Sequence, residues 1–286
     1  MAYLVGLLST HPEWVRCLLE SQGEHLRVPD PPQPGGWGIG FYQQGEVLRR
    51  LAPLEHTGPL DFRDLARGVR TQVLIGHIRR AGPAGPRGRN THPFKYRDWI
   101  FAHTGDIPRL DDVRAVLLQN VPSFLERNIQ GETDSEILFH MMLAHLHRLN
   151  VLDAPETPID AACEATRRAI READEALASV QAAPPPFVLL ATNGSIMVGA
   201  CRREPMFLAQ FDRLVDCRDC EADEQRSRPC EICRSDRRDL RAALLASYPP
   251  PMPPRYERLP DEALIGIKPD ATVETLPFRP SAIGLR

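Results

Sequence analysis

Two short apolar runs, Val73-Leu74-Ile75-Gly76-His77-Ile78 and Trp99-Ile100-Phe101-Ala102-His103, are each bounded by chain breakers and read as buried strands. Two stretches with helical spacing follow, about 134–149 and 158–181, the second rich in Ala, Glu and Arg with an alanine-lined face. Pro184-Pro185-Pro186 ends the helix pair. Beyond it the pattern predicts strands at 187–192, 195–200 and 206–211, with Asn193-Gly194 as a tight hairpin turn, and a last strand near 263–268. Ahead of the first run lie an apolar segment at 2–8 and a helix opened by His11-Pro12-Glu13 that carries Trp14, Val15, Leu18 and Leu19. A Pro/Gly-rich loop from Pro29 to Gly36 then leads into a strand at 37–42 and a hairpin arm at 46–52. Gly82 to Asn90 is expected to be a mobile surface loop. Strand block, helix pair, strand block is the order of a layered α+β domain.

A chain of 286 residues that is 42% hydrophobic can bury one large core, and a single elaborated domain over 1–286 is the simplest division. The net charge of −3 comes from both signs spread along the chain, so neither nucleic acid nor an anionic membrane is an expected partner. No run approaches the roughly 18 apolar residues of a bilayer span. The N-terminus also lacks the basic flank and apolar core of a secretory signal, which makes a cytoplasmic location the expectation.

Three sequence runs carry the functional signal. Gly35-Gly36-Trp37-Gly38-Ile39-Gly40-Phe41-Tyr42 comes first. His77-Ile78-Arg79-Arg80-Ala81 follows, with Asn90-Thr91-His92-Pro93-Phe94 and Phe101-Ala102-His103-Thr104-Gly105-Asp106 after it. The third is Glu132-Thr133-Asp134-Ser135-Glu136. As a set they resemble the glutaminase domain of the class II glutamine amidotransferases, in particular the stand-alone group that includes the ergothioneine-pathway amidohydrolases. The resemblance implies the four-layer αββα sandwich of N-terminal nucleophile hydrolases. Members begin Met-Cys, and the thiolate of that cysteine attacks the side-chain amide of glutamine with the α-amine as nearby base. By the same resemblance Arg79 binds the α-carboxylate of glutamine, a task suited to a fork-shaped donor. Asp134 binds the α-ammonium, Thr91 and His92 border the pocket, and the backbone N–H of Gly105 contributes to the oxyanion hole.

Three positions depart from that pattern. Ala2 carries a methyl group where the thiol belongs, so no acyl-enzyme forms there. Thr104 stands where the family has an oxyanion-hole asparagine, and one such donor is typically worth about 10²–10³ in rate. Gly36 replaces the aspartate usual before Trp-Gly. An engineered Cys-to-Ala change would leave Thr104 and Gly36 unexplained. Ser9 and Thr10 lie about 20 Å or more along the first strand and cannot replace the nucleophile. Without glutamine, Arg79 and Asp134 have two readings, a surviving ligand site and a buried ion pair kept for folding. His77 and His103, in apolar strands, are expected to be satisfied core histidines, and His140, His145 and His147 lack a same-face metal-ligand spacing.

A separate signal comes from Cys217-Arg-Asp-Cys220 and Cys230-Glu-Ile-Cys233, two CxxC knuckles in a very polar segment. Four thiolates so spaced close a tetrahedral, structural Zn²⁺ site. The linker between them cannot fold by burial, so an inserted zinc-binding knob at 213–238 is the expectation. The flank Arg234 to Arg241 interleaves four arginines with Asp236 and Asp239, a balance of charge that favours a protein partner over nucleic acid. The whole sequence thus reads as a glutamine amidotransferase-like protein without its nucleophile, a scaffold or regulatory module with a structural zinc. The alternatives are an amidohydrolase with rerouted chemistry and a sensor for glutamine or a γ-glutamyl ligand.

Overall fold

In the computed structural model, which describes residues 2–12, 15, 18–19, 22, 26–28, 34–52, 60–80, 90–212, 241–247 and 254–278, the apolar runs become strands of two large antiparallel sheets. The strands are β1 (Tyr3–Ser9), β2 (Arg27–Val28), β3 (Pro34–Gln43), β4 (Glu46–Ala52), β5 (Leu60–Asp61), β6 (Val73–Arg80), β7 (Phe94–Tyr96) and β8 (Trp99–Thr104), followed by β9 (Phe187–Thr192), β10 (Met197–Arg202), β11 (Phe207–Phe211), β12 (Ala242–Ser247), β13 (Glu257–Arg258), β14 (Ala263–Ile267) and β15 (Val273–Pro277). The helices are α1 (Phe62–Leu65), α2 (Leu110–Leu118), α3 (Ser123–Glu126), α4 (Asp134–Arg148) and α5 (Ile159–Ser179).

The first sheet runs β13-β11-β12-β1-β6-β3-β4 and the second β15-β14-β10-β9-β8-β7, while β2 and β5 form a small pair. Strand alternation explains how the two sheets stack, because successive side chains point to opposite faces. Leu4 and Leu8 of β1, with Val73 and Ile75 of β6, pack on Ile100 and Ala102 of β8 and Val188 and Leu190 of β9, forming the inter-sheet core. The alternate residues Val5, Leu7, Leu74 and Ile78 turn to the outer face and pack with Val15, Leu18, Leu19 and Phe62. On the far side of the second sheet Phe101, Leu189 and Val198 meet the buried faces of α4 and α5. The alanines predicted for the second helix supply its packed face, with Ala162, Ala165, Ala169 and Ala173 all buried.

Most predicted elements lie within a few residues of their observed bounds. β3 starts at Pro34, inside the expected loop, with a register shift between Pro34 and Gly36. The hairpin turn holds because the Asn193 side-chain oxygen accepts the N–H groups of Ser195 and Ile196. β12 was not expected, yet it sits centrally between β1 and β11. In the predicted first helix, Val15, Leu18, Leu19 and Gln22 are helical. His11 and Pro12 lie in a turn, whereas the other residues of that stretch, the loop at 81–89 and the cysteine segment at 213–240 lie outside the described residues. No helix of the described residues is long and apolar enough to cross a membrane.

Candidate functional site

Sheet register brings two of the three altered positions, Ala2 and Gly36, into one row with Arg79. β1 pairs with β6 with Tyr3 opposite Ile78 and Leu4 opposite His77, so one further step sets Ala2 opposite Arg79. On the other side of β6, Arg79 pairs with Gly36 of β3. Ala2, Arg79 and Gly36 therefore lie side by side across three strands. By the alternation that sends Leu4 and His77 inward, Ala2 and Arg79 belong to the face that meets the second sheet.

The segment carrying Thr91 and His92 closes over this row from the β3 side. A Cβ on Gly38 would come within 2.1 Å of the His92 carbonyl oxygen, and one on Gly36 within 3.5 Å of the Thr91 hydroxyl. Gly36 also has φ +149°, a conformation that L side chains rarely adopt, which gives the missing aspartate a local reason: a side chain there would be strained. The Arg79 guanidinium donates to the carbonyl of buried Asn90 at 3.0 Å. The Asn90 side-chain oxygen accepts the N–H of Glu132 at 3.4 Å, which ties this wall to the start of α4.

The second group of polar residues gathers at the N-terminus of α4, here called the α4 wall, which Glu132 joins to Asn90. Thr133 caps it by accepting the Glu136 N–H at 3.3 Å, and the Glu136 carboxylate accepts the N–H groups of Gln130 and Gly131 at 2.9 and 2.6 Å. The Asp134 carboxylate accepts the Ile107 N–H at 2.6 Å, the Ser135 N–H at 2.8 Å and lies 3.3 Å from the Ser135 hydroxyl. Ile107 follows the turn at Gly105, where φ is +135° and a Cβ would meet the Pro186 carbonyl oxygen at 2.8 Å, so glycine is required. Thr104 ends β8 opposite Val188, on the same inward face as Ile100 and Ala102.

The two readings of Arg79 and Asp134 separate here. Among the described residues Arg79 and Asp134 do not pair with each other; each charge is held by other groups, Asn90 in one case and Ile107 and Ser135 in the other. The buried ion pair is not formed.

The histidines differ from expectation in part. His103 is satisfied, with Nδ1 2.9 Å from the Ser135 hydroxyl. His77 is buried as expected but unsatisfied: neither of its ring nitrogens has a partner, and the same holds for His92, whose ring centroid lies 4.3 Å away. Burial, with Arg79 and His103 nearby, pushes the His77 pKa down to about 3. Burial and the neighbouring His77, His103 and Arg79 hold His92 well below the usual histidine range. Burial also lowers His103, opposed by the charges of Asp134 and Asp106. All three are thus held toward the neutral form, and the charged groups acting on them are Arg79, Asp134 and Asp106. His140 bonds the Glu136 carbonyl, His145 lies 3.2 Å from Glu172 and His147 packs edge-on against Phe124, so these three are packing residues.

Sequence reasoning singled out neither Asn90 nor Ser135 as a site residue, although both fall inside the quoted runs. Among the described residues no group of three or more His, Cys, Asp or Glu side chains could hold a metal. The predicted zinc ligands Cys217, Cys220, Cys230 and Cys233 lie outside those residues.

The comparisons with known proteins agree with the geometry. A Saccharomyces cerevisiae protein named as a probable glutamine amidotransferase is 27% identical over 127 residues, 42% of this chain and 35% of that protein. The chain thus spans about a third of the length of the curated relatives it matches. A class-II glutamine aminotransferase domain protein from Silicibacter pomeroyi superposes with TM-score 0.59 at 15% identity, over 97% of this chain and 100% of the other. A predicted glutamine amidotransferase from Pseudomonas aeruginosa does so with TM-score 0.57 at 18% identity, over 96% and 98%. At these identities the structural likeness is one of fold. The family model for class-II glutamine amidotransferases matches residues 6–214, and the chain belongs to that family.

Proposed function

We propose that this protein keeps the ligand-recognising part of a class II glutamine amidotransferase, on an αββα sandwich of the N-terminal nucleophile hydrolase kind, without its hydrolytic part. It acts as a binding or regulatory module. The observation that carries this reading is the arrangement of Arg79 and Asp134. Each is fixed by other groups and neither neutralises the other; Arg79 stands in the strand row next to Ala2, and Asp134 opens α4, which the Arg79–Asn90–Glu132 bonds tie to that row. A guanidinium and a carboxylate so held suit the carboxylate and ammonium of an amino acid. Ala2 supplies neither thiol nor hydroxyl for attack on an amide.

A glutamine or γ-glutamyl compound is accordingly bound and not cleaved. Thr91, His92 and Gly105 border that ligand. The cysteines at 217, 220, 230 and 233 hold one structural zinc in an inserted knob that meets a protein partner. L-Glutamine titrated into the protein should give a calorimetric binding signal that Arg79→Ala abolishes, with no ammonia released. Metal analysis should find about one zinc per chain, lost in Cys220→Ser. Absence of glutamine binding defeats the ligand reading; a metal-free chain purified under reducing conditions defeats the zinc reading.

A further inference from the structure

The three site histidines are of two kinds. His77 and His92 have unpartnered ring nitrogens, whereas His103 is joined through Ser135 to Asp134, the carboxylate assigned above to a ligand's ammonium group. The Ser135 hydroxyl lies 2.9 Å from His103 Nδ1 and 3.3 Å from Asp134 Oδ1, and it has one proton to give. With His103 neutral and its proton on Nε2, Ser135 donates to Nδ1, and the Asp134 carboxylate is occupied by the backbone N–H groups of Ile107 and Ser135. With His103 protonated, Nδ1–H donates to Ser135, and the hydroxyl proton turns to Asp134 Oδ1. One proton taken up at His103 thus places a positive charge beside Asp134 and supplies that carboxylate with an additional donor.

We propose that His103 is a positioning residue that makes ligand recognition proton-sensitive: its protonation turns Ser135 onto Asp134 and weakens the hold on an ammonium group. The inference rests on the ligand reading of Arg79 and Asp134. The charged and titratable groups around His103 are Asp106 from the following turn, Asp134 from α4, His77 from β6 and His92 from the segment before β7, with Arg79 of β6 acting on the latter two. β9 contributes the Phe187 ring, 6.1 Å away by centroids, which does not titrate. Asp134 and Asp106 favour the proton on His103, and an ammonium bound at Asp134 opposes it, so ligand and proton compete.

The test measures binding of two probes at pH 8 and pH 5. L-Glutamine keeps its ammonium charged over this range, and 4-carbamoylbutanoate has the carboxylate and amide but no ammonium. For the unaltered protein, affinity for L-glutamine should fall roughly threefold or more on acidification, while the deamino probe changes little. His103→Gln should remove the fall, and Ser135→Ala, which keeps the ring but not the relay, should reduce it. An equal fall for both probes, or a fall that persists in His103→Gln, overturns the proposal. If His103→Gln does not fold, the contrast between the two probes and the Ser135→Ala result decide. Glutamine bound equally at both pH values sinks this inference alone, whereas no binding of either probe at pH 8 sinks the ligand reading with it.

Discussion

The two walls of the site differ in how completely their polar groups are satisfied. The α4 wall is closed on itself: Thr133, Asp134, Ser135 and Glu136 each accept or share hydrogen bonds that fix the helix start and the Gly105–Ile107 turn. The sheet wall carries Ala2 and Gly36, together with two adjoining histidines, His77 and His92, tilted against each other with four unpartnered ring nitrogens. On the proposed reading, the α4-wall group assigned to a ligand, Asp134, also holds the fold, so losing it would cost stability, whereas the side chain of residue 2 has no such duty and Ala2 leaves the fold intact.

The contrast breaks most visibly at Glu136. Its carboxylate makes two charge-assisted bonds from a buried position, so Glu136→Ala should cost about 3 kcal/mol in denaturant unfolding. A change under about 1 kcal/mol would mean that the α4 wall is not the anchored one.

Acid should act next, through the sheet wall. His77 stays neutral in the fold down to about 3, whereas an unfolded histidine protonates near 6.5. The depressed folded pKa means that stability is fully present above about 6.5 and falls as pH drops from there toward about 3. His77→Leu should flatten that decline by about 1.4 kcal/mol per pH unit. An unchanged slope would show that water already satisfies the ring.

Arg79→Ala sharpens the comparison because the two readings of this residue predict different costs. Losing one hydrogen bond to Asn90 should cost about 1 kcal/mol, whereas breaking a buried ion pair would cost about 3–5. Chemical denaturation distinguishes these values. The smallest effect on stability is expected for Ala2→Cys, within about 0.5 kcal/mol. Ammonia release should recover little in that variant, and more when Thr104→Asn restores the second oxyanion donor.

The elements legible in the sequence are those whose local pattern and tertiary role agree. α4 and α5 follow their apolar spacing, and β9 is the apolar run between a proline stop and an Asn-Gly turn. β12 is a strand against local preference: Ala-Ala-Leu-Leu-Ala favours a helix, and pairing with β1 and β11 overrides it. At the site, residue types pointed to Arg79 and Asp134, but spacing along a chain does not say whether two distant charges meet. Ser135 and Asn90 escaped for the same reason, since their roles come from partners 32 and 11 residues away.

Ammonia release from L-glutamine, measured against a heat-killed control and alongside Arg79→Ala, tests the central claim most directly. The account predicts no turnover above background for the unaltered chain. Turnover that Arg79→Ala abolishes would contradict it, because the carboxylate-binding arginine would then be serving a working glutaminase despite Ala2.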